Sequence, residues 1–135
     1  MSLLDQLLVL AILAIPTACI AWTVTHEEVF REPREYFERR SRTERSPWRR
    51  KFFYLFTCEY CFSHYVALFF VVVCNFALVF DDLRGYLIAW LSLVWVANLY
   101  MSAFGRLRLD IKRERVEIEE KQGEVEKLKD GKRAA

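Results

Sequence analysis

Cys58, Cys61 and His64 are the residues whose types and spacing could do chemistry. They fall three apart in T-C-E-Y-C-F-S-H-Y, at the mouth of an apolar run that continues to Phe80. On a helix, positions three apart project near one another, so the two thiols share a face and the imidazole stands one step further round. A bend near 57–59 would let all three converge. His26 closes another apolar run at a similar depth, so Cys58, Cys61, His64 and His26 could form a tetrahedral Cys2His2 zinc site, with Cys19 as a substitute ligand seven residues before His26. Two other readings stand beside it: reduced thiols packed among aromatic rings at a membrane surface, and redox chemistry or acylation of Cys58 or Cys61. A single C-x-x-C lacks the second pair that marks a zinc ribbon. A thioredoxin-type centre is excluded, because its C-x-x-C follows a strand in a βαβ unit that this chain cannot supply.

The elements that must position these residues are apolar. Hydrophobic residues make up 54% of the 135 and aromatic ones 16%, and the charges are segregated into two blocks, 25–51 and 106–133. A water-soluble core would intersperse charges at the period of its helices or strands. Long uncharged runs between charged blocks are the pattern of a membrane protein. Two of the four cysteines, Cys19 and Cys74, lie inside apolar runs, which is not a secreted disulfide framework.

The expected fold is all-α: a three-span helical integral membrane protein with an amphipathic interfacial helix and a charged C-terminal cytosolic helix. Residues 1–24 form the first transmembrane helix, kinked at Pro16, with an uncharged stretch from Leu7 to Val24 spanning about 27 Å. No Lys or Arg precedes that run, so an uncleaved helix is expected rather than a signal peptide. An Arg-rich cytosolic connection follows at 25–57. Pro33 suits the first turn of one short helix, and Ser46-Pro47 starts a second, with Ser as N-cap and Pro at its first position. In that second helix Trp48, Phe52 and Phe53 lie beside Arg49, Arg50 and Lys51, the mixture that places rings at headgroup depth and cations on lipid phosphates. A helix running unbroken from Phe52 to Phe80 would be about 43 Å long and would carry Glu59 into lipid, so a bend at 57–59 is expected. A transmembrane hairpin then occupies 58–104, with spans at 62–80 and 86–104 joined by a short turn at 81–85. Asn75 and Asn98, the deepest polar residues of the two spans, suit hydrogen bonds within the hairpin.

Orientation follows from the cations. Nine Lys/Arg lie in 25–51 and ten in 106–133, against one in 81–85 and none before the first span. The positive-inside rule places the N-terminus outside and the C-terminus inside, in a multi-pass protein of the bacterial inner membrane. The final segment, 105–135, reads as a helix rich in Glu, Lys and Arg. Leu107, Ile111, Ile118, Val125 and Leu128 fit an a/d series interrupted by Glu114 and Lys121. That series suits either a solvated helix or a short coiled coil with a second copy or a cytosolic protein through 106–132.

The stretch C-E-Y-C-F-S-H-Y with the apolar helix after it, 55–80, resembles small bacterial and phage integral membrane proteins of unknown function with a C-x-x-C at the start of a transmembrane helix. The resemblance implies a membrane protein whose paired cysteines have some role, and no particular activity. No nucleophile–base pair, phosphate-binding glycine loop or paired carboxylates are evident, and neither charged block is one-sided enough for nucleic acid. The sequence therefore points to a non-enzymatic scaffold or anchor in the lipid bilayer that presents its charged helix to a partner or to itself. A structural zinc or thiol site at Cys58, Cys61 and His64 is one alternative, and a holin-like pore former is the other.

Overall fold

The first apolar run folds into helix α1, Leu3–His26, in a computed structural model that describes residues 1–135. A capping box sets its start. Ser2 Oγ accepts from Asp5 N at 3.2 Å and Asp5 Oδ2 accepts from Ser2 N at 3.1 Å, which satisfies two donors that a first turn otherwise leaves open. Pro16 stands inside the helix without ending it. After a 3-10 turn at Glu28–Phe30 come α2, Arg31–Thr43, and α3, Pro47–Leu55. Pro33 lies in the first turn of α2. Ser46 occupies the N-cap of α3 with Pro47 behind it, although the Ser46 side chain makes no cap bond. The remaining helices are α4, Glu59–Val73, and α5, Leu83–Ala134; there is no strand.

The axis turns by 80° between α3 and α4, at the place where the sequence expected a bend. The link between α4 and α5 departs from expectation. The second apolar helix was expected at 62–80 with a turn at 81–85, but α4 ends at Val73 and the link runs from 74 to 82. Asn75 is the reason. It adopts a positive φ of 48°; its N–H donates to Val72 O at 3.2 Å, and Phe76 N donates to Val71 O at 3.0 Å. This is the Schellman cap, in which a left-handed residue, usually Gly and sometimes Asn, closes the helix and an apolar residue folds back on the last turn. Phe76 and Val71, the pair such a cap brings together, are both buried.

Three more N–H groups of the link find partners. Leu78 N donates to Gly85 O at 3.1 Å, and Phe80 N donates to Leu78 O at 2.8 Å around Val79 at φ 70°. Val79 N donates to Gln6 Oε1 on α1 at 2.9 Å. Irregular backbone survives in or beside lipid only when its polar groups find such partners.

Packing in residues 1–101 is inverted relative to a water-soluble bundle. The interior is built on small side chains: Ala14 and Ala21 of α1, Ser63 and Ala67 of α4, and Ala89 and Ala97 of α5 are all 0% exposed. On α5 the inward positions Gly85, Ala89, Leu93, Ala97 and Met101 repeat every four residues, one helical face. Large apolar side chains face out, with Ile12 at 62%, Phe69 at 60% and Trp95 at 66% exposed. Water penalises that arrangement; lipid does not, and small residues at helix contacts are how membrane helices approach closely. By length and composition α1 and α5 can each cross a membrane, and the bent pair α3–α4 makes a third crossing if it is one span.

Residues 102–135 form a second unit. They are helical to Ala134 and almost wholly exposed, and the Arg108 guanidinium lies 5.6 Å from the centre of the Phe104 ring.

Candidate functional site

The corner between α3 and α4 holds the chemistry-bearing residues. Thr57 closes α3: its N–H and its hydroxyl both donate to Tyr54 O, at 3.0 and 2.7 Å. Cys58 then caps α4, its Sγ accepting from Cys61 N at 3.4 Å. Helix N-caps are usually Ser, Thr, Asp or Asn, so nothing in the sequence marked Cys58 for this task. Both thiols are free and half-buried.

His64 points elsewhere. Its Nδ1 lies 2.8 Å from Tyr60 O, and since a carbonyl only accepts, that nitrogen carries a proton. The ring stands edge-on to Tyr60 at 4.7 Å and to Trp90 at 6.0 Å. Trp90 Nε1 donates to His64 O at 2.8 Å, so α5 braces the first turns of α4. One face further along, Asn98 Nδ2 donates to Ser63 Oγ at 3.0 Å. Asn75 Oδ1 accepts from the Tyr86 hydroxyl. Both asparagines thus bond across the α4–α5 hairpin, though not to each other.

His26 meets Glu59. Its ring stacks on Trp22 at 4.0 Å, Nδ1 lies 2.8 Å from Thr25 Oγ1, and Nε2 lies 3.3 Å from Glu59 Oε2. The Thr25 hydroxyl donates to Ala21 O at 2.7 Å, which makes Nδ1 the donor to Oγ1. Nε2 then pairs with the carboxylate only when it too carries a proton. The contact is off-line for a hydrogen bond, and Glu59 Oε2 is buried without one. His26 sits in the last turn of α1 and Glu59 in the first turn of α4, the ends where a cation and an anion are each favoured by the helix dipole. The contact sets the C-terminus of α1 beside the N-terminus of α4. Sequence reasoning saw Glu59 as a cost and missed its partner, because the two are distant along the chain.

The four residues considered as zinc ligands do not gather. Cys58 and Cys61 adjoin, while His64 and His26 are turned to other partners, and no three His, Cys, Asp or Glu side chains form a group that could hold a metal ion.

The basic–aromatic helix α3 presents Trp48, 83% exposed, together with exposed Arg49, Arg50, Lys51 and Phe52. Phe53 differs: it turns toward α2, 5.8 Å from Phe37, which also stacks on Phe56 at 4.3 Å. Arg49 reaches Glu44 at 3.8 Å, and Lys51 has no carboxylate partner. Beside α3 and α4 lies an open groove of about 520 Å³, walled by Tyr60, Cys61, His64 and Trp90. On the charged helix, Leu107, Ile111, Ile118, Val125 and Leu128 are all exposed. Comparison with protein-family models, with curated proteins and with solved structures finds no match.

Proposed function

We propose that this chain is a non-enzymatic integral membrane protein of the bacterial inner membrane, a scaffold or anchor that presents a charged helix to a second copy of itself or to a cytosolic protein. It crosses the bilayer three times, N-terminus outside and C-terminus inside, as the distribution of Lys and Arg favours. One observation carries the reading: a single helix, α5, holds both a membrane-length apolar window and a charged stretch whose apolar residues are uncovered. The inverted packing of 1–101 supports the membrane part. The 80° bend suits the interfacial helix: α4, at 15 residues about 22 Å long, needs the apolar link beyond it to complete the second crossing, while α3, turned away from it, lies along the surface, rings in the headgroup layer and cations on phosphate.

A photo-crosslinking residue placed at Ile118 or Val125 in cells tests the presenting role. Adducts are expected at these two seam positions and not at Glu120, on another face. No adduct at either seam position overturns the scaffold reading.

A further inference from the structure

The groove at the α3–α4 corner is shaped for an amphiphile. At about 520 Å³ it falls within the range of small-ligand sites, roughly 300–1,000 Å³. Its lip is on the interfacial helix, where Lys51 is the one charged residue of the lining. Its floor runs along α4 through Cys61, His64, Tyr65 and Leu68, one stripe of a helix, with about 10 Å between the first and the last. Polarity therefore falls along its length: an ammonium, then ring edges, then Leu68 beside the Trp90 indole. The wall is fixed in advance. Trp90 is held by its hydrogen bond to His64 O at 2.8 Å, and His64 by its bond to Tyr60 O, also at 2.8 Å. No Asp or Glu lines the groove, and Lys51 has no carboxylate partner.

We infer that this groove binds one anionic phospholipid from the cytoplasmic leaflet, its phosphate on Lys51 and one acyl chain along Tyr65, Leu68 and Trp90. The inference rests on the membrane reading above. Charge complementarity selects the lipid: both headgroups carry a phosphate, but a zwitterionic one also brings a quaternary ammonium, which Lys51 repels and which no carboxylate of the lining can receive. The 80° turn places lip and floor where a headgroup and its chain lie in a bilayer. The site gives the Cys58–Cys61 corner a structural task, since the cap and bend made there set the angle between lip and floor.

The test uses the full-length protein in detergent, offered equal amounts of phosphatidylglycerol and phosphatidylcholine, with retained lipid counted by native mass spectrometry. One phosphatidylglycerol is expected to be retained, in severalfold preference to phosphatidylcholine. Lys51→Gln should bring the two lipids level, and Leu68→Trp, which fills the floor, should remove the adduct. Arg84→Gln, exposed in the first turn of α5 at the other end of the hairpin, should leave the preference intact. Equal retention by the wild-type protein, or a preference that survives Leu68→Trp, overturns the inference. Alkaline extraction of membranes separates the two failures. Release into the supernatant sinks the membrane reading itself, whereas a protein that stays in the membrane without lipid preference sinks only the groove.

Discussion

Replacing Gly85 by alanine is the perturbation whose size the structure fixes most closely. A Cβ built at Gly85 would lie 1.7 Å from the Phe80 carbonyl oxygen and 2.7 Å from the Phe80 carbonyl carbon, with the Ala77 Cβ at 3.2 Å. The first two are backbone atoms and cannot swing aside like the end of a side chain. They belong to a turn that is held on the same residue: Leu78 N donates to Gly85 O at 3.1 Å and Gly85 N donates to Asp82 O at 2.9 Å. Relief of the clash must move Phe80 away and break at least one of these bonds. Forced overpacking costs about 1–3 kcal/mol, and a lost backbone hydrogen bond adds about 1 kcal/mol, so Gly85→Ala should destabilise the protein by about 2–4 kcal/mol. Gly123 supplies the control of opposite sign. Nothing lies within 4 Å of the Cβ it would gain, and alanine is better than glycine inside a helix by about 1 kcal/mol. The assay is thermal unfolding in detergent followed by circular dichroism. Gly85→Ala should lower the midpoint and Gly123→Ala should hold or raise it. A Gly85→Ala protein that melts with the wild type would refute the described turn between α4 and α5.

Further outcomes follow from the same geometry. Asn75→Gly should be tolerated and Asn75→Val should cost about 1–2 kcal/mol in the same assay, because a β-branched residue resists the positive φ that caps α4. Val79, itself β-branched at φ 70°, holds strain of about 1–3 kcal/mol, so Val79→Gly should raise the melting midpoint even though it removes an apolar side chain. On α2 the Arg31 guanidinium, 3.0 Å from Glu35, holds that carboxyl below the usual glutamate range. The pair's contribution is therefore present above the ordinary glutamate midpoint and lost as pH falls through the lowered one. Carbon NMR of the Glu35 carboxyl should show a lowered midpoint that returns to the ordinary range in Arg31→Gln.

What was legible in the sequence was whatever lay in long, one-sided stretches. The apolar run of α1 and the charged half of α5 are announced by composition over many residues, and the start of α3 by the local Ser46-Pro47 signal. The bend before α4 followed from an over-long helix and a carboxylate at Glu59 that had to stay out of lipid. The end of α4 was hidden because residues 76–80 are as apolar as those before them. The signal is Asn75 followed by Phe76, a left-handed cap and its apolar clasp, but along the chain Asn75 is equally a polar residue seeking a partner across the hairpin, and it does both. The site was harder still. A cysteine acting as an N-cap, Gln6 holding the backbone of Val79 and His26 meeting Glu59 all depend on how the chain folds back, and no local spacing records them. The zinc reading followed from residue types alone, and the orientations of His64 and His26 do not support it.

The central claim, that the apolar helices lie across lipid with the arginine-rich ends on the inner side, is tested most directly by cysteine labelling. With Cys19, Cys58, Cys61 and Cys74 replaced by serine, single cysteines are placed at Asp81 and at Ala135 and exposed to a membrane-impermeant maleimide in cells whose outer surface is accessible. The account predicts labelling at position 81 in intact cells and at position 135 only after lysis. Labelling at 135 before lysis, or at 81 only after it, would contradict it.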